Sequence, residues 1–125
     1  GSNDLTQYTL AVDRGNARLA ERFTPHHPAV VRQLARVVEI GAAAGIPVSI
    51  CGEMASQPLT AVLLAGLGYT TLSVAPPSLP LVKWVLRSVP YEAARAVAAA
   101  ALDATSPNAI LSALEQATEP FLSRR

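Results

Sequence analysis

Two short β-branched runs, Ile46-Pro47-Val48-Ser49-Ile50 and Thr70-Thr71-Leu72-Ser73-Val74, each follow an amphipathic helical pattern, and this alternation constrains the fold of the 125-residue chain more than any other feature. The first helix is predicted from about Pro28 to Ala44, where Val30, Val31, Leu34, Val37 and Val38 recur as one apolar stripe. Pro28 opens it where a missing N–H costs nothing, and Gly45 closes it where a left-handed conformation is free. A second helix is predicted over Leu59 to Leu67, with Leu59, Val62, Leu63 and Gly66 on one face and Gly68 as its stop. Ser78 is expected to cap a third, which carries Leu81, Val82, Val85 and Leu86. Parallel strands need a covering crossover, so the alternation reads as βαβ units of an α/β fold. An alanine-rich helix from Tyr91 to Leu102 is expected to pack shallowly, for want of large side chains. A last helix starts at Ser106 and Pro107, gathers Ile110, Leu111, Leu114 and Ala117, and ends or kinks at Pro120.

Composition narrows the partners. Half of the residues are hydrophobic, 15% are charged and the net charge is +1, which argues against disorder and against a nucleic-acid footprint. No apolar run reaches the roughly 18 to 20 residues of a bilayer span, and the polar N-terminus has no signal-peptide core. A soluble single domain with no membrane partner is expected. Cys51 is the one cysteine, so an intrachain disulfide cannot form and a reducing cytoplasmic compartment follows.

Three stretches carry candidate chemistry. Ser2 to Thr9 concentrates small polar and amide side chains and looks like neither helix nor strand. Within it, Asn3 and Asp4 set a neutral hydrogen-bonding group beside a hard carboxylate, a pair suited either to a Mg²⁺-bound phosphate or to capping a helix. Asp13-Arg14-Gly15-Asn16 places a guanidinium in a loop, where it either grips phosphate or carboxylate or stays a solvated surface group. Cys51 ends a predicted strand and precedes Gly52 and Glu53, the position at which parallel α/β folds bind ligands, although a lone cysteine also serves as core filler. His26 and His27 are adjacent, and neighbours in sequence share no helix or strand face, so they do not form a metal pair.

Taken together and in order, the run from Ser2 to Asn16, then His27-Pro28-Ala29-Val30, then Cys51-Gly52-Glu53-Met54-Ala55, resembles the enzyme I family of phosphoenolpyruvate-protein phosphotransferases. The likeness continues through Gly66-Leu67-Gly68 and Leu72-Ser73-Val74 to Pro80 and the terminal helices. It implies the C-terminal portion of a (β/α)₈ barrel followed by C-terminal helices, with residues 1–125 as one part of the phosphoenolpyruvate-binding domain. By the same resemblance Asp4 is a carboxylate ligand of Mg²⁺, and Asn3 and Arg14 contact the phosphate and carboxylate of phosphoenolpyruvate. Cys51 is implied as the acid that protonates enolpyruvate; a thiol is mostly protonated at neutral pH, which suits that task. The implied activity passes phosphoryl from phosphoenolpyruvate to an enzyme histidine, then to the phosphocarrier protein HPr, and releases pyruvate.

The chain departs from that pattern at Thr24 and His26, where aspartate and leucine are usual, at Thr70-Thr71, and at Pro120. The implied second metal carboxylate, further substrate arginines and phosphohistidine domain have no counterpart in it. The isolated chain is therefore expected to be inactive, and its incomplete sheet to drive homo-oligomer formation. Two other readings stay open: a noncatalytic half-barrel that serves assembly or regulation, and a relative of pyruvate phosphate dikinase or phosphoenolpyruvate synthase.

Overall fold

Residues 1–123 are described by a computed structural model, and every regular element among them is helical. In order they are α1 (Ser2–Leu10), α2 (Pro28–Ala43), α3 (Glu53–Ser56), α4 (Pro58–Leu67), α5 (Leu79–Ser88), α6 (Tyr91–Asp103) and α7 (Pro107–Leu122), with 3-10 turns at Ala20–Arg22 and Pro76–Ser78. The expected α/β architecture, a portion of a (β/α)₈ barrel, is thus overturned. The two β-branched runs touch at one isolated parallel bridge, Ile50 to Leu72. Ile50 N–H donates to Thr71 O (3.1 Å) and Ser73 N–H to Ile50 O (2.8 Å), and the ladder goes no further. A strand exists only through its neighbours. Pro47 removes a donor from the first run, Pro76 turns the second into a helical turn, and Ile46 is left 62% exposed.

Helix α4 takes the central place that a sheet was expected to fill. Ala61, Val62, Leu63 and Leu64 are all fully buried, so the helix is enclosed on every side instead of presenting one stripe. Leu64 joins Val30, Leu34, Val38, Met54 and Tyr69 in one cluster. Leu63 meets Val31 with Val97, Ala101, Ile110 and Leu114 of α6 and α7. Val62 packs with Val85, Val89 and Ala94. Three consecutive residues therefore bind three flanking layers, a demand that only surrounding helices meet.

The helix boundaries follow their local chemistry. His27 caps α2 by accepting Ala29 N–H on Nδ1 at 3.1 Å, with Pro28 in the first turn. At the other end Gly45, at φ 67°, bonds Ala42 O while Ile46 N–H reaches Gly41 O at 2.8 Å, the paired bonds of a glycine-terminated helix. Ser106 Oγ caps α7 through Ala109 N–H at 3.2 Å. Ser78 stands at the start of α5 but makes no capping bond, and α7 continues past Pro120 to Leu122.

The alanine-rich helix α6 is not shallow. Ala94, Val97, Ala98 and Ala101 are buried, and a Cβ at Gly66 of α4 would overlap the Ala94 carbonyl. Small residues on both helices let the backbones meet. Gly66→Ala gains about 1 kcal/mol of helix propensity but forces backbone apart at a cost of about 1–3 kcal/mol or more. The variant is expected to unfold at lower urea than the parent; an equal or higher midpoint would show that α4 and α6 do not meet there.

Burial lowers the pKa of His26 below its ordinary 6.5. Above 6.5 the ring is neutral in both folded and unfolded chains and contributes no pH dependence. Below it the unfolded chain takes up a proton that the folded one resists, so stability falls with pH. Melting temperature is expected to drop between about pH 7 and 5 more steeply in the parent than in His26→Leu; parallel profiles would contradict this.

Candidate functional site

Helix α1 begins at Ser2 with Gly1 at its cap and no side-chain capping bond. Asn3 and Asp4 therefore lie inside the first turn and do not cap it, contrary to one of the two readings of that pair. The polar residues of this segment form helix after all, with Thr6 Oγ1 donating to Ser2 O at 2.8 Å in the interior. Asp4 is at the helix's positive end, where a carboxylate is favoured.

The start of α1 is fastened to the Cys51 loop. Ser2 N–H donates to Cys51 O at 3.1 Å. Gly52 has φ 109°, and a Cβ there would overlap Ser2 Oγ and approach the Ser2 and Asn3 amide nitrogens at 3.4 and 3.5 Å. Glycine is required twice, for its backbone angle and for this approach. Ser2 Oγ is buried and has no hydrogen-bond partner.

This seam brings Asn3 and Cys51 to one open concavity of about 650 Å³, shared with Glu53, Gln57, Ser73 and Ser78. Cys51 is exposed. The Ile50–Leu72 bridge sets Ser73 opposite the cysteine, and Ala75 N–H donates to Ser56 Oγ at 2.9 Å along the rim. The wall mixes apolar surface with neutral polar groups, Asn3, Gln57, Ser73 and Ser78, and carries one carboxylate, Glu53. Its amide and hydroxyl groups can hydrogen-bond an anion, which Glu53 would repel unless a cation lay between them.

Asp4 and Arg14 stand apart from it. Asp4 lines an adjoining, more apolar concavity of about 360 Å³ with Leu5, Tyr8, Val48 and Ile50. Arg14 is among the lining residues of neither. It sits exposed in the turn after α1, its N–H donating to Gln7 Oε1 at 3.3 Å, while Asp13 Oδ1 accepts Gly15 N–H at 2.8 Å. The described residues contain no group of three His, Cys, Asp or Glu side chains able to hold a metal. The hard oxygens of Asp4 and Asn3 suit Mg²⁺ in kind, but one carboxylate and one amide fall short of an octahedral shell. Gln57 escaped sequence reasoning, and Ser73 and Ser78 were read only as parts of a strand and a helix cap, since isolated polar residues between helices carry no spacing signal that would mark a site.

The sequence has counterparts among known proteins. Residues 1–91 match the family described as PEP-utilising enzyme, PEP-binding domain, and the chain belongs to that family. Among curated relatives, it is 42% identical over 104 residues to a Salmonella typhimurium protein named for the phosphoenolpyruvate-dependent phosphotransferase system, covering 83% of this chain and 14% of the relative. It is 39% identical over 120 residues to the phosphoenolpyruvate-protein phosphotransferase of Cupriavidus necator, covering 96% and 20%. To the phosphoenolpyruvate synthase of Pyrococcus furiosus it is 41% identical over 86 residues, covering 69% and 10%. The chain thus spans a fifth or less of the length of these relatives.

Gly52→Ala tests the seam. At Gly45, whose φ is 67° and around which nothing lies within 4 Å, alanine meets only backbone strain of about 1 kcal/mol. At Gly52 the strain adds to a collision with Ser2. Amide hydrogen exchange at Ser2 is expected to rise at least about tenfold in Gly52→Ala, some 1.4 kcal/mol of local opening, and to stay near parental in Gly45→Ala. Unchanged protection in Gly52→Ala would dissolve the seam.

Proposed function

We propose that the chain supplies one wall of the phosphoenolpyruvate site of a Mg²⁺-dependent phosphoenolpyruvate-protein phosphotransferase, completed by other parts of a longer polypeptide. The observation that supports this best is the shared concavity of Asn3 and Cys51, tied together by the Ser2–Cys51 backbone bond. In this reading Asn3 hydrogen-bonds the phosphate, Arg14 pairs with phosphate or carboxylate, and Asp4 provides one metal carboxylate. Mg²⁺, when bound, neutralises charge on the transferring phosphoryl group.

The phosphoryl group leaves the enol oxygen of phosphoenolpyruvate for a histidine nitrogen, and enolpyruvate remains. Cys51 then gives its thiol proton to the methylene carbon as the enol oxygen becomes a carbonyl, and the resulting thiolate is reprotonated from solvent. Conversion to the keto form makes the transfer hard to reverse. The acceptor histidine belongs outside this chain: His26 is bonded to Thr60 in the interior and His27 caps α2. The phosphocarrier protein HPr is the onward acceptor in this proposal.

No helix among the described residues is long and apolar enough to cross a membrane, and the cytoplasm is the proposed location. Exposed Tyr8, Val37, Ile40 and Ile46 favour a homo-oligomer, or cover by the rest of the polypeptide. A synthase-like activity is the second reading, favoured by the Pyrococcus relative; that likeness covers 69% of the chain where the Cupriavidus phosphotransferase covers 96%.

In a phosphotransferase containing this segment, Cys51→Ala is expected to cut pyruvate formation by about 10²- to 10⁴-fold, the usual worth of a positioned acid, with phosphoenolpyruvate affinity little changed. Near-normal turnover would require another acid. The isolated chain should bind phosphoenolpyruvate with Mg²⁺ only weakly, since one metal carboxylate holds the ion poorly; micromolar, Mg²⁺-dependent binding by calorimetry would refute a divided site.

A further inference from the structure

A hydrogen-bonded chain runs from the interior to the Cys51 concavity through residues that no part of the proposed chemistry uses. His26, in the segment before α2, is 9% exposed, and its Nε2 lies 2.7 Å from Thr60 Oγ1. Thr60, in the first turn of α4, is 2% exposed and donates its hydroxyl to Gln57 Oε1 at 3.1 Å. Gln57 lines the Cys51 concavity on one side. On the other it lines a cavity of about 220 Å³ shared with His26, Leu111 and Glu115.

A hydroxyl has one proton to give. Because Thr60 spends it on Gln57, the contact with His26 can be made only by an Nε2–H donating to Thr60 Oγ1. Burial keeps the ring neutral at neutral pH, so its single proton is on Nε2 and Nδ1 is bare. The opposite tautomer would reverse the whole chain. A bare Nε2 would accept the Thr60 proton, Thr60 could then only accept, and the Gln57 amide would have to turn over to offer it an N–H. The tautomer of His26 and the orientation of Gln57 are therefore one two-state element. In the observed state the two Gln57 amide N–H groups are unspent on this chain and available to the concavity. In the reversed state the Gln57 carbonyl takes their place, and it repels an anion. A protonated imidazolium would also carry Nε2–H, so acid does not reverse the arrangement.

We propose that His26 is a positioning residue: by donating Nε2–H through Thr60 it orients the Gln57 amide so that the Cys51 concavity gains a neutral hydrogen-bond donor for an anionic substrate. The benefit to an anion rests on the reading of that concavity as a phosphoenolpyruvate site, whereas the orientation itself does not.

The test is solution NMR of the uniformly ¹⁵N-labelled 125-residue chain without any ligand. Two-bond correlations of the His26 ring are expected to show a protonated Nε2, far upfield of a bare Nδ1. The Gln57 side-chain NH₂ signals should be rigid in the parent. They should become as mobile as a surface amide in the near-isosteric Thr60→Val, exchange between two amide orientations in His26→Leu, where Thr60 can either give or take a proton, and return to one orientation in His26→Gln, whose amide nitrogen can replace Nε2 as donor. A melting curve for each variant separates release of Gln57 from loss of fold. An Nδ1–H tautomer in the parent overturns the proposal, as do Gln57 signals that are the same in the parent and in both releasing variants. Since no ligand enters, these results stand whether or not phosphoenolpyruvate is later found to bind.

Discussion

The hydrogen bond from Ser2 N–H to Cys51 O joins two segments nearly fifty residues apart in the sequence, and the candidate site exists because of it. It fixes where α1 begins, and hence which way Asn3 and Asp4 project. Gly52 makes the bond possible, since any side chain there would occupy the space of the Ser2 hydroxyl. Successive helical residues are separated by about 100° around the axis, so the seam divides the two neighbours between two concavities, Asn3 with Cys51 and Asp4 with Tyr8. A cluster that reads as continuous along the chain is therefore partitioned in space.

Behind the seam, stability comes from a helix with no polar face. Val62, Leu63 and Leu64 each commit to a different cluster, which places α2, α5, α6 and α7 around α4 without a sheet between them. Fully burying one such side chain is worth roughly 1.5–3 kcal/mol, a large share of the 5–15 kcal/mol that holds a typical domain. The Cys51 loop lies between α2 and α3 and leads through α3 directly into α4, so the packing of α4 anchors its C-terminal side. Met54 and Ala55, buried directly after the loop, transmit that constraint.

Helix ends were the most legible part of the chain, because proline, glycine and serine act there through local bonds: α2 starts and stops close to where Pro28 and Gly45 place it, α4 stops at Gly68 and α7 starts at Ser106 and Pro107, although α7 runs past Pro120. The α/β expectation failed at the two β-branched runs. Five residues of β propensity cannot specify a strand without a partner, and only Ile50 and Leu72 found one. Helix α1 was missed since its polar residues give little periodicity, and the depth of α6 since alanine looks uninformative until Gly66 is seen against it. Of the residues lining the concavity, Asn3 and Cys51 were singled out in the sequence by their motif context. Gln57 and its link to His26 were invisible, because three residues joined by hydrogen bonds across the fold leave no pattern in sequence.

The account stands or falls on whether an anion enters the concavity that the seam creates. Backbone amide shift mapping of the chain during a phosphoenolpyruvate titration, with Mg²⁺ present, addresses this directly. The account predicts weak, saturable shifts centred on Asn3, Cys51, Gly52 and Ser73 and diminishing toward α5 and α7. Shifts centred on the exposed face around Trp84, or saturable binding that leaves Asn3 and Cys51 unmoved, would contradict it.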